Sequence, residues 1–162
     1  MAELTTLEEK LGEVTGLAMA AQGAGEKVAG LVDDGDLQQT LERMVHEAKE
    51  TEKRCTQLAE GLDGKKTAVL EKARETKQEA TEMMRTYLGD DADGLDGFEF
   101  LTMAEAGEVG HWEVLGVLGK KAGKSEVQQL VEWAVPIQQR HFEQVREGSL
   151  KLAADEDPNE TS

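Results

Sequence analysis

The chain runs 135 residues before its first proline, and Pro136 and Pro158 are the only two among its 162 residues. Aromatic residues make up 4% of it, and β-branched ones are also few. A chain so poor in helix breakers and strand formers is predicted to be all-α. Its length suits one domain with a substantial core.

Apolar residues recurring at steps of three and four divide it into five helices. The first is expected from Leu7 to Val32, opened by a capping box of Thr6 and Glu9. Its seam is Leu4, Leu7, Leu11, Val14, Ala18, Ala21, Val28 and Val32, and its Ala- and Gly-rich middle lets a neighbouring helix approach closely. The second runs from Leu37 to Glu60, with Leu37, Leu41, Met44, Val45, Ala48, Cys55 and Leu58 inward, His46 outward, and Glu52 on the border. A third, capped by Asp63, extends from Gly64 to Leu88 behind a narrow seam of Val69, Ala73, Thr76, Ala80, Met83 and Tyr87, and so packs on the side or end of a bundle. The acidic linker 89–97 fails the spacing of a calcium loop, and Asp96 with Glu99 reads as a cap. A fourth helix ends near Gly119. A fifth, capped by Ser125, runs from Glu126 to Ala153, kinked at Pro136. The connection between them is short, so these two form an antiparallel pair. Residues 1–154 are expected to form the bundle and 155–162 an acidic, disordered tail.

With 34 acidic and 18 basic residues, the formal charge is −16. Such a field repels phosphate backbones and anionic lipid, so neither nucleic acid nor membrane is an expected partner. Cys55 has no second cysteine to pair with, the N-terminus lacks a signal-peptide pattern, and a cytoplasmic setting is expected. No phosphate loop, nucleophile elbow or Ser/His/Asp arrangement is present, so catalysis is not the leading expectation.

Polar residues interrupt the seams of the last two helices. In the fourth, Leu101, Ala104, Glu108, His111, Leu115 and Leu118 form a stripe that is apolar except for one carboxylate and one imidazole. In the fifth, Gln138 and His141 break the run Val127, Val131, Ala134, Val145, Leu152. Folding the pair about residues 122–123 sets Glu108 beside Gln138, with Glu105 close in level to His141 but off the stripe. Buried polar groups of this kind require hydrogen-bond partners or a metal ion.

The order of helices, Glu108-x-x-His111 followed by Trp112-Glu113, and Gln138-x-x-His141-Phe142 resemble the ferritin-like superfamily. The nearest resemblance is to the stress-associated ferritin-like family with a His-aromatic-Glu signature in its third bundle helix. It implies an up-down four-helix bundle with an additional helix in the crossover connection. It also implies a metal centre of Glu108, His111, Gln138 and His141 for Fe, Mn or Zn. Three departures reduce that centre. The first helix reads Leu17-Ala18-Met19-Ala20-Ala21-Gln22, without an acid; the second motif has Gln for Glu; and Gly110 precedes His111. The expectation is therefore a reduced or vestigial site, which Glu52 or Glu105 could join. The alternative is a metal-free polar cluster that fixes helix register in a structural or interaction bundle, with a homodimer possible through the glycine-rich faces.

Overall fold

The computed structural model describes residues 2–161. The chain is all-α, with α1 Thr6–Ala29, α2 Gly35–Glu60, α3 Lys66–Tyr87, α4 Gly94–Lys121 and α5 Ser125–Ala154. Among the described residues there is no strand, and no helix is long and apolar enough to cross a membrane.

Helices α1, α2, α5 and α4 touch in a closed cycle, and α3 rests chiefly on α1. Glycines fix the registers. A Cβ at Gly94 would strike Val32 and one at Gly97 would strike Val28, so α4 runs antiparallel to α1. Gly12 faces Val69 and Lys72, and Gly16 faces Ala73 and Thr76, so α3 runs parallel to α1. The small residues of α1 thus admit a close neighbour, as the sequence suggests. Because α3 returns the chain along the bundle, α2 and α4 point the same way.

Several caps fall elsewhere than expected. α1 is opened by Thr5 and Glu8, whose side chains bond each other's backbone amides, one residue before the predicted pair. α4 is opened by Asp93 and Asp96 in the same reciprocal way, one turn earlier than Asp96 with Glu99. That earlier start draws Gly94 into the first turn, where it meets Leu31 and Val32 just past the end of α1. Asp63 does not cap α3, whose N-cap Lys65 makes no side-chain capping bond. Ser125 already lies in α5, and Gln128 donates to the Gly119 carbonyl across the α4–α5 turn.

The core consists of two apolar clusters at opposite ends. One gathers around Leu11, Trp112, Leu115, Val127 and Ala134. The other holds Val28, Leu41, Phe98, Leu101 and Val145. Between these clusters each helix of the cycle contributes a buried polar residue: Thr15 on α1, Thr51 on α2, Glu105 and Glu108 on α4, Gln138 and His141 on α5.

Candidate functional site: a polar layer in mid-bundle

The seam of α4 is Leu101, Glu105, Glu108, Trp112, Leu115 and Gly119. It shares residues 101, 108 and 115 with the predicted stripe but takes the other flank between them. Trp112, the largest fully buried side chain, decides this. A fully buried indole removes more apolar surface than Ala104 and Leu118 together could compensate for once His111 is desolvated with them. Turning Trp112 inward turns Glu105 inward two helical turns before it. The same rotation corrects the predicted site: His111 is exposed, its Nδ1 2.8 Å from the carbonyl of Gly107, and it does not join the other three residues.

Glu108, Gln138 and His141 are brought together, with Glu105 in place of His111. Glu105 and Glu108 are 2% and 4% exposed, which leaves their carboxyls to be satisfied within the protein. With its amide nitrogen turned toward them, Gln138 donates to Glu105 Oε2 at 3.0 Å and to Glu108 Oε2 at 3.1 Å. No lysine or arginine reaches either acid among the described residues; the nearest basic atom is His141 Nδ1, 3.9 Å from Glu105 Oε2. Burial therefore dominates. It pushes Glu105 up to about 8, and it drives Glu108 well above the carboxylate range, with further help from the neighbouring Glu105 charge. At neutral pH Glu105 keeps its proton, and Glu108 is shifted in the same direction.

The other side of the layer is ionic. His141 Nε2 lies 3.0 Å from Glu47 Oε1, and Arg140 pairs with the same carboxylate. Burial raises Glu47, but the bonds to Arg140 and His141 outweigh it and hold the group below its ordinary value. Burial lowers His141, against the opposing pull of Glu47, so the imidazole is neutral at pH 7. The neutral ring then donates from one nitrogen only. A donor at Nε2 toward Glu47 leaves Nδ1 an acceptor facing Glu105.

Glu52 is half-buried and accepts from Gln22 Nε2 at 2.8 Å, apart from the acid pair. Cys55 is fully buried beside Thr15, and burial pushes its thiol up to about 12, which makes it a small core residue and no nucleophile. Glu47 and Arg140 were not among the sequence candidates. Glu47 falls three residues after Met44 and four before Thr51, both buried, and that spacing is the signal that points to it. Among the described residues no three His, Cys, Asp or Glu side chains gather as a metal-ligand group.

The chain matches no family model, no curated protein and no solved structure.

Proposed function

We propose that the chain is a non-catalytic bundle of ferritin-like topology whose centre is a hydrogen-bonded polar layer that works without a metal. Two antiparallel helix pairs joined by a crossover helix, with α2 and α4 parallel, support the ferritin-like reading. The observation that carries the metal-free reading is the Gln138 amide, which serves both acids at once, while among the described residues no lysine or arginine is bonded to them. The amide gives each acid one hydrogen bond, and a layer of this sort specifies the depth at which α4 and α5 meet. One layer of hydrogen bonds between two apolar clusters penalises any slip that would move an acid into either cluster. The protein then acts through what its surfaces bind, not through chemistry at its centre.

A second reading has one observation in its favour. His141 gives Nε2 to Glu47 and turns Nδ1 toward Glu105, the carboxylate–histidine arrangement that orients a metal ligand. On that reading Glu105, Glu108 and His141 hold one Fe, Mn or Zn ion after losing their protons. Metal analysis of the dialysed protein separates the two. The metal-free reading predicts no stoichiometric Fe, Mn or Zn and no thermal shift on adding them. Near-stoichiometric metal that disappears in Glu108→Gln and His141→Ala would establish the second reading instead.

A further inference from the structure

Helices α3 and α4 both lie on α1 and meet where Tyr87 lies against Phe100, ring centroids 5.5 Å apart, and the space left between them is a groove of about 330 Å³. Its floor is the small-residue face of α1, from Leu17 through Ala20 and Ala21 to Ala24. Met83 and Met84 of α3 form one wall, and Phe100, Met103 and Gly107 of α4 form the other. Met83 and Met103 are 61% and 49% exposed, so their flexible thioethers stand in water with nothing over them. Glu105 and Glu108 also line this groove. The buried acid pair is therefore both the middle of the core and the deep end of an apolar channel.

Four glutamates, Glu13, Glu79, Glu105 and Glu108, line the groove against one lysine, Lys72, which pairs with Glu75, and among the described residues no lysine or arginine is bonded to the two buried acids. An apolar ligand alone would leave the acids as they are, and an anion would find no positive partner at them. A cationic head at the acids gains what the fold withholds from them, and an apolar body covers the methionines. The volume lies at the lower end of small-molecule pockets and is too small for a helix about 10 Å across. We propose that the groove between α3 and α4 binds an amphipathic organic amine, its ammonium head at Glu105 and Glu108 and its apolar body along Met83, Met103 and Phe100. Binding releases the displaced carboxyl proton to solvent.

Calorimetric titration of the full chain with decylammonium chloride and with decanol, below their aggregation limits, tests this. The protein is first dialysed against a chelator, because the proposal rests on the acids being free of metal. Stoichiometric metal recovered in that step contradicts the metal-free reading but leaves the amine titration readable. The expected result is saturable one-to-one binding of the amine, at least about tenfold tighter than the alcohol. Glu105→Gln/Glu108→Gln erases that preference, whereas Asp155→Asn/Glu156→Gln, the same pair of acid-to-amide changes in the exposed tail, preserves it. Gly107→Phe, placed where nothing lies within 4 Å of a new Cβ, abolishes binding of both ligands without disturbing the fold. Equal affinity for amine and alcohol, an amine preference that survives loss of both acids, or unchanged binding to Gly107→Phe would each overturn the proposal.

Discussion

Glu47 and Glu105 lie in the same mid-bundle layer, on either side of His141, and their surroundings drive them in opposite directions. Glu47 is half-buried, faces Arg140 and the imidazole, and is held ionised below its ordinary range. Glu105 is sealed from water, shares one neutral amide with a second acid, and keeps its proton up to about pH 8. Depth alone does not separate them, since burial raises both. What separates them is the presence of a guanidinium on one side and its absence on the other. The layer is thus divided into an ionic half at the α2–α5 contact and a neutral half at the α4–α5 contact, with His141 between them.

Substituting Glu by Gln on each side breaks this comparison most sharply, because the two changes carry opposite signs. An acid with a raised folded pKa gives stability that is complete below its unfolded value, near 4.5, and lost as pH rises through its folded value. For Glu105 that window runs from about 4.5 to about 8. Glu105→Gln, which needs no proton, is expected to gain on the order of 3–5 kcal/mol over the wild type at pH 8 and almost nothing at pH 4. Urea denaturation across that range measures it, and a variant less stable at pH 8 would refute the neutral half.

Glu47→Gln is expected to lose about 1–2 kcal/mol at pH 7, since Arg140 and His141 keep only a neutral partner. Here the folded pKa is depressed, so the contribution is present above the unfolded value and disappears as pH falls through the folded one. Wild type and variant should converge in acid, the reverse of the Glu105 pair. The smallest effect belongs to His111→Ala, expected to change stability by no more than about 0.5 kcal/mol because the ring stands in solvent. A loss of several kcal/mol would return His111 to the centre.

The helices were legible in the sequence because their seams are long and strongly periodic. The α5 stripe of Val127, Val131, Ala134, Gln138, His141 and Val145 is buried as read. Glu108 beside Gln138 was legible too, since a short antiparallel connection fixes relative depth. The site's remaining members were not, for a geometric reason. Positions 101, 108 and 115 belong equally to a stripe through 104 and 111 and to one through 105 and 112, so periodicity could not choose between them. Side-chain volume chose: Trp112 went inside and took Glu105 with it, leaving His111 in water. Glu47 was hidden differently. It borders its seam, and its importance comes from Arg140 on another helix, a pairing that spacing within α2 does not report. Caps slipped by one residue at α1 and one turn at α4 because acidic clusters offered several equivalent capping side chains.

The central claim is that one layer holds a protonated acid pair beside an ionised carboxylate. Titration of the glutamate side-chain carboxyl carbons by nuclear magnetic resonance, assigned through single Glu→Gln variants, tests it most directly. The account predicts that Glu105 loses its proton near pH 8 and Glu108 well above 4.5, with Glu47 titrating below 4.5. Three carboxyls titrating together near 4.5 would contradict it.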